Sequence, residues 1–304
     1  MNFDVIIIGG GAAGISAALW CDDLKLSALL LERQAELGGQ LLRVYNPILN
    51  YLGVKAKDGR QLRDQFLKQI ENRQFAVRLN SEIASLNLEK KSVTLEGGET
   101  FFARAIIIAA GVRRRKLNIE GEEKFKERGI IESGKRDAGL VKNRNVCIVG
   151  GGDAAFENSL ILAETTASVS LIHRGAEFRA RAEFIEQAKD NPKVEILTET
   201  IVRKIIGGER IEALELENLK TKKIFRRQAE TLLIRIGVEP DANFLSQEID
   251  LDKQGYIKID QTCETNIENI FAVGDIANPV APTLSSAVGM GATAVKAIFA
   301  RLDF

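Results

Sequence analysis

Two glycine clusters hold the residues of this chain best suited to chemistry. Gly9-Gly10-Gly11-Ala12-Ala13-Gly14 follows the β-branched run Phe3–Ile8 and precedes a helical pattern, Ile15–Cys21. In such a strand–turn–helix, Gly9 permits the tight turn, Gly11 lets a pyrophosphate approach the backbone, and Gly14 allows helix and strand to touch. The helix N-terminus then offers unpaired N–H groups and the positive end of its dipole to phosphate. The next apolar strand, Leu26–Leu31, ends in Glu32, 23 residues after Gly9, where a carboxylate can accept both hydroxyls of a ribose.

The second cluster, Gly150-Gly151-Gly152-Asp153-Ala154-Ala155, repeats the pattern between strands Asn145–Val149 and Ser168–Ile172. Its second strand ends in His173-Arg174, so the acid that would accept a 2′-hydroxyl is missing. Arg174, with Arg179 and Arg181 beyond it, instead supplies guanidinium groups suited to the 2′-phosphate of NADP. His173, the sole histidine, reads as a structural or ribose-side residue rather than a general base.

These turns need parallel sheets to hold them. A helix over Gly59–Asn72, a β-meander from Ala76 to Phe102 and a strand Ala105–Ala109 lie between the two units. After the second come a helix around Ala182–Lys189, hairpin strands through Arg227, a strand Leu232–Ile236, a strand Asn269–Val273 and a last helix, Leu284–Ala300. The expected fold is α/β: two Rossmann-like dinucleotide domains with β-meanders, the second inserted into the first. The crossovers fall near Val112–Leu117 and Gly237–Asp241, giving 1–115 with 239–304 as one domain and 116–238 as the other.

Composition narrows the partners. The 304 residues suffice for two domains. Lys plus Arg (42) equals Asp plus Glu (42), so no basic field favours nucleic acid or an anionic membrane. Cys21, Cys147 and Cys263 are far apart and form no CxxC, which leaves neither a disulfide framework nor a metal site. Sparse thiols, no secretory n-region and no membrane-length apolar stretch fit a cytoplasmic protein.

Further residues in order, Gly38-Gly39-Gln40-Leu41, Asn50-Tyr51-Leu52-Gly53, Ala109-Ala110-Gly111 with Arg113, Gly150 to Asp153, His173-Arg174 with Phe178-Arg179-Ala180, and Gly274-Asp275, make the whole chain resemble the low-molecular-weight thioredoxin reductases. The resemblance implies an FAD domain carrying an inserted NADPH domain, and a homodimer. It places Gly9, Gly11, Ala12, Ala13, Gly14, Glu32, Arg33, Gly39, Gln40, Leu41, Asn50, Ala110, Gly111, Gly274 and Asp275 at FAD. It places Gly151, Gly152, Asp153, Ala154, His173, Arg174 and Arg179 at NADPH.

The departure from that family is as informative. Counted without a gap from Gly129 to Val146, the family's CxxC-Asp falls on Ser133-Gly134-Lys135-Arg136-Asp137, and both redox cysteines are absent. A hydroxyl and a guanidinium cannot form a disulfide or attack a flavin as thiolates do. The resemblance then runs to the ferredoxin–NADP reductases of thioredoxin-reductase type, which lack the pair and carry a flavin-stacking tyrosine where this chain has Tyr45. No C-terminal extension like theirs is expected here, and Pro282-Thr283-Leu284 stands in place of the flavin-contacting segment of either branch.

The expected activity is therefore NADPH oxidation through FAD, with electrons leaving to a carrier such as ferredoxin or flavodoxin. Tyr45 is the expected flavin stacker. Thr283, with the N-terminus of the last helix, would face the flavin N1/C2=O edge, and Asp137 would either handle a proton or pair with Lys135 or Arg136. A basic strip, Arg113 to Lys116 with Arg128, Lys135, Arg136, Lys142 and Arg144, either steers an acidic carrier or is a solvated hinge. The rival readings are direct reduction of a small disulfide or quinone at the flavin, and a non-catalytic flavoprotein sensor or complex subunit.

Overall fold

The computed structural model describes residues 2–242, 244–245 and 248–302. The chain divides into two compact units, Met1–Arg113 with Glu239–Phe304, and Arg114–Val238. Each contains one glycine motif.

In the first unit, strand Asn2–Ile8 pairs in parallel with Ala28–Leu31 on one side and Thr100–Ile108 on the other. Ile270–Ala272 adds a further parallel partner to Thr100–Ile108. The central strand is apolar without a break because both of its faces are covered. Val5 and Ile7 join the core beneath the first and last helices, while Ile6 and Ile8 point to the opposite core with Val93 and Phe101.

The expected meander is shorter than its sequence suggests. Ile83–Asn87, Ser92–Leu95 and the start of Thr100–Ile108 form it, all antiparallel. Ala76–Arg78 instead extends the parallel edge beside Leu29–Leu31. Its three residues are all exposed, so no apolar alternation marks the sheet to which they belong; backbone pairing decides.

The first helix runs Ala12–Asp23 and the last Leu284–Arg301. The first begins three residues ahead of its apolar periodicity, because Gly11 serves as its N-cap directly after the turn. Ser16 Oγ donates to Val288 O at 2.8 Å, tying the two helices together.

The second unit builds a five-stranded parallel sheet in the order 194–197, 168–172, 145–149, 231–234, 130–131. Helices Asp153–Ala163 and Ala182–Asp190 accompany it. An antiparallel sheet of 200–206, 213–218 and 224–228 supplies the hairpins. Both units are thus Rossmann-like, as expected.

Helix contact in the first unit depends on one glycine. A Cβ at Gly291 would lie 2.5 Å from Ala13 O and 3.0 Å from Ala17 N, whereas one at Gly289 meets nothing within 4 Å. Alanine is the better helix former by about 1 kcal/mol, but overpacking against backbone costs about 1–3 kcal/mol. Gly289→Ala should therefore raise the thermal midpoint and Gly291→Ala should lower it. Equal upward shifts in a thermal melt would show that the helices are not held this closely.

Candidate active site

The carboxyl ends of the first unit's parallel strands open into a cavity of about 860 Å³, the edge at which α/β sheets take ligands. Gly9, Gly11, Ala12 and Ala13 line it from the glycine turn, and Glu32 and Arg33 from the end of the second strand. Gly39, Gln40 and Leu41 come from the short 3-10 turn Gly39–Arg43, and Gly274 and Asp275 from the turn Gly274–Ile276. Asn50, Ala110, Gly111 and Thr283 complete the expected set. Gly14 is not in the wall: its Cβ would sit 1.9 Å from Gly9 O, so its part is to let helix and turn touch.

The cradle suits a pyrophosphate. A Cβ at Gly11 would find nothing nearer than Gly39 Cα at 3.9 Å, so that position faces the open cavity. No side chain caps the first helix, which leaves first-turn N–H groups for an anion. Glu32 is buried; its Oε2 accepts the Gly10 N–H at 2.7 Å and its Oε1 the Gln34 N–H at 2.8 Å. Two backbone donors thereby pin the carboxylate, and its remaining lone pairs are available to a ribose.

Asp275 lines the same space. Burial raises its pKa above the ordinary carboxylate range, and among the described residues no donor reaches its carboxylate. A hydroxyl-bearing ligand would satisfy it. Gln40 donates through Nε2 to Val112 O at 2.7 Å, which orients the amide within the wall. These features fit an elongated dinucleotide.

One buried polar residue of the cavity wall escaped sequence reasoning. Asp241 is buried in the cavity wall, where it pairs with Arg33 at 2.6 Å and lies 3.8 Å from Arg113, itself bonded to Glu239 at 2.9 Å. Its only sequence signal is an acid just after the return crossover, Glu239-Pro240. Nothing in the spacing ties it to Arg33.

Of the two expected catalytic residues of this unit, one has other employment and one lies off the cavity wall. Thr283 accepts the Ser286 N–H at 3.2 Å in a capping box, so its hydroxyl at the cavity rim is engaged in starting the last helix. Tyr45 is half-buried beside Val44 of the wall but does not itself line the cavity.

In the second unit Gly152 is the uncapped N-cap of helix Asp153–Ala163, with nothing within 4 Å of its would-be Cβ. Ala154 lies in the helix's first turn. A Cβ at Gly151 would lie 2.3 Å from the His173 ring, so the ring packs directly on the glycine. That ring meets Phe178 at 5.2 Å, and its Nε2 lies 2.9 Å from Glu177 O, which makes His173 a packing residue of the turn. Asp153 is held by Arg181 through N at 2.7 Å and Nε at 3.0 Å. Arg174 and Arg179 stand exposed beyond the strand end, without an ion-pair partner among the described residues.

The Ser133–Asp137 turn is a small capped structure. Ser133 Oγ accepts the Arg136 N–H at 3.3 Å, and Gly134 N–H donates to Asn158 Oδ1 at 2.7 Å. Asp137 Oδ2 accepts from the N–H groups of Glu132 and Ser133, while Arg136 grips the same carboxylate. Burial works to raise the Asp137 pKa, but Arg136 and the two backbone donors outweigh it and hold it below the ordinary value. An ionised, fully engaged carboxylate is a cap and an ion-pair partner, not a proton donor near neutral pH.

Thiol chemistry has no source here. All three cysteines are free and buried, and desolvation pushes Cys21 and Cys147 up to about 12 and Cys263 to about 11. The expected basic strip divides in two. Arg113 pairs with Glu239, Arg114 donates to Glu132 O, Arg115 to Val238 O and Lys116 to Glu123. Arg128, Lys135 and Lys142 are exposed, with no ion-pair partner among the described residues. Among those residues there is also no cluster of metal-ligating side chains and no helix long and apolar enough to cross a membrane.

Comparison with known proteins agrees with the resemblance. The family model described as pyridine nucleotide-disulphide oxidoreductase matches residues 3–291. A thioredoxin reductase of Listeria innocua is 33% identical over 96% of this chain and 91% of its own length. A 34.2 kDa protein in the rubredoxin operon of Clostridium pasteurianum is 30% identical over 96% and 95%. The structure of Lactococcus lactis thioredoxin reductase in its FR conformation superposes with a TM-score of 0.86 at 30% identity, covering 98% of each chain. With the glycine cradles, the cavity and these likenesses together, the chain belongs to the pyridine nucleotide-disulphide oxidoreductase family, as a thioredoxin-reductase-like enzyme of a kind that uses FAD and NADPH.

Proposed function

We propose that this enzyme passes electrons from NADPH through FAD to an acidic one-electron protein of the ferredoxin or flavodoxin kind, without a thiol relay of its own. The observation that carries this reading is the capped Ser133–Asp137 turn where the family keeps its disulfide, in a chain whose three thiols are all buried. Bound FAD would supply a ring system that accepts a hydride and releases electrons onward. The Clostridium pasteurianum relative described as a rubredoxin-operon protein adds weight to a small protein carrier.

In this reading the first unit is the FAD domain and the second the NADPH domain. Gly11 and the first helix hold the pyrophosphate, Glu32 the adenosine ribose, and Asp275 accepts from a hydroxyl of the ribityl chain. Arg174 and Arg179 take the 2′-phosphate of NADPH. Tyr45 packs on the flavin, which requires it to move from its half-buried place beside Val44. The exposed Arg128, Lys135 and Lys142 attract the carrier, and the protein is a homodimer, as thioredoxin reductases are.

Gly11→Val tests the first site. The position faces open space, so the variant should fold with an unchanged apoprotein melting midpoint yet retain little FAD by absorbance. Full flavin occupancy would remove Gly11 from the pyrophosphate site.

Loss of one charged contact to a phosphate weakens binding roughly tenfold to a hundredfold. The ratio of kcat/KM for NADPH to that for NADH should fall by that factor in Arg174→Ala. An unchanged ratio rejects its role.

For the acceptor, NADPH-driven reduction of ferredoxin and flavodoxin should be rapid and should slow as salt rises, since steering by exposed charge is screened over about 8–10 Å at ordinary ionic strength. Oxidised thioredoxin should be a poor substrate. A variant with Cys21, Cys147 and Cys263 all changed to Ser should keep its turnover. Rapid reduction of a small disulfide or a quinone, with no turnover of any acidic carrier protein, would overturn the carrier assignment.

A further inference from the structure

Large apolar side chains standing in water concentrate at one place in the first unit. Among the described residues the three most exposed are Leu52 at 97%, Val280 at 92% and Leu49 at 70%. They come from two loops far apart in sequence, and both loops flank the cavity. Ile48 and Asn50 line it from one, Pro282 and Thr283 from the other. Beneath the surface the loops are joined by Leu284, which packs on the cluster of Leu41, Ile48, Ala56 and Leu62.

Neither loop is loosely held. Ile48 and Ala56 exchange backbone hydrogen bonds at 2.8 and 3.2 Å, which makes 49–55 the tip of a short hairpin. In the other loop Asn278 Nδ2 donates to Ala281 O at 2.9 Å, Asn278 Oδ1 accepts the Ala281 N–H at 3.1 Å, and Ser286 Oγ donates to Ala281 O at 2.6 Å. Leu52 and Val280 are therefore displayed by bonded turns. Scattered single apolar side chains on a surface need no explanation, but several gathered beside one cavity mark a contact face.

The charge beside this face has one sign. From Leu37 to Lys57 the chain carries Arg43, Lys55 and Lys57 and no acid, and from Ala277 to Val295 it carries no charge at all. The three cations are exposed, with no ion-pair partner among the described residues. Asp58, next along the chain, is engaged as the N-cap of helix Gly59–Ile70, its Oδ1 accepting the Gln61 N–H at 2.8 Å. An apolar centre with a polar rim is the anatomy of a protein interface, and a rim of one charge selects a partner of the other.

We propose that Leu49, Leu52 and Val280, with Arg43, Lys55 and Lys57 beside them, form the face on which the acidic electron-accepting protein docks. The inference rests on the carrier reading above and adds where the carrier sits: on the first unit, against the cavity that would hold the flavin. Arg128, Lys135 and Lys142 of the second unit then act only in long-range attraction.

The test uses the flavin-loaded protein with a ferredoxin as acceptor, and compares wild type with Leu52→Ser, Val280→Ser and the double change Lys55→Glu with Lys57→Glu. All four positions are exposed, so FAD content, melting midpoint and the rate at which NADPH bleaches the flavin without an acceptor should stay at wild-type values. In Leu52→Ser and Val280→Ser, kcat/KM for ferredoxin should fall roughly tenfold and stay low at high salt, because an apolar contact is lost. In the double variant it should fall by a similar factor at low salt and recover as salt rises. Wild-type values in all three, with the loss confined to Lys135→Glu with Lys142→Glu, would move docking to the second unit and overturn the face. A change of oligomeric state in Leu52→Ser would give the face to a second copy of this chain. Binding of wild type, but not of Leu52→Ser, to phosphatidylserine vesicles would give it to a membrane; either result overturns the proposal. Absence of ferredoxin and flavodoxin turnover in wild type defeats the carrier reading itself, whereas turnover that survives all three changes defeats the docking face alone.

Discussion

A helix can start directly off a strand, with its N–H groups turned to a ligand, only where no side chain stands between the two backbones. At Gly14 the space left for a Cβ ends 1.9 Å away at Gly9 O, and at Gly9 it ends 2.4 Å away at Ala109 O. These close approaches bring the first helix, the central strand and the end of strand Thr100–Ile108 to one point. The cavity exists because of them. Its floor is backbone, its first-turn N–H groups are uncapped, and Gly11 leaves the entry clear. The last helix repeats the device at Gly291, which lets it lie against the first.

Around that floor the polar groups divide into those that have partners in the protein and those that have none among the described residues. Glu32 is oriented by two backbone donors, Arg33 by Asp241, and Gln40 by Val112 O. Asp275 has no such donor among the described residues, and burial raises its pKa. The same economy holds in the second unit, where Asp153 and His173 serve the turn while Arg174 and Arg179 stand open.

One short turn, Ser133–Asp137, is closed on itself and carries no cysteine. Ser133 and Arg136 form a hydroxyl cap and an ion pair with Asp137, a closed set of bonds that leaves no nucleophile. The three cysteines are buried in apolar surroundings, where desolvation suppresses the thiolate. The glycine cradles of the family are thus retained in a chain that has no CxxC.

Much of this was legible in the sequence, for a physical reason. Glycine spacing, apolar runs and a terminal acid are local signals, and Gly9, Gly11, Gly14, Glu32 and the strands 145–149 and 168–172 lie where local rules put them. Absence is equally legible, since a missing CxxC needs no coordinates. What local rules cannot see is pairing between distant segments. Ala76–Arg78 joins the parallel edge through backbone bonds, not through any side-chain pattern. Asp241 reaches Arg33 across more than two hundred residues of chain, and Arg235 meets Arg114 at a single carbonyl although each reads alone as an ordinary surface cation. The employment of Asp137 and Thr283 was likewise decided only by the folded chain, because whether a carboxylate or hydroxyl is free depends on which backbone N–H groups the fold brings within about 3 Å of it.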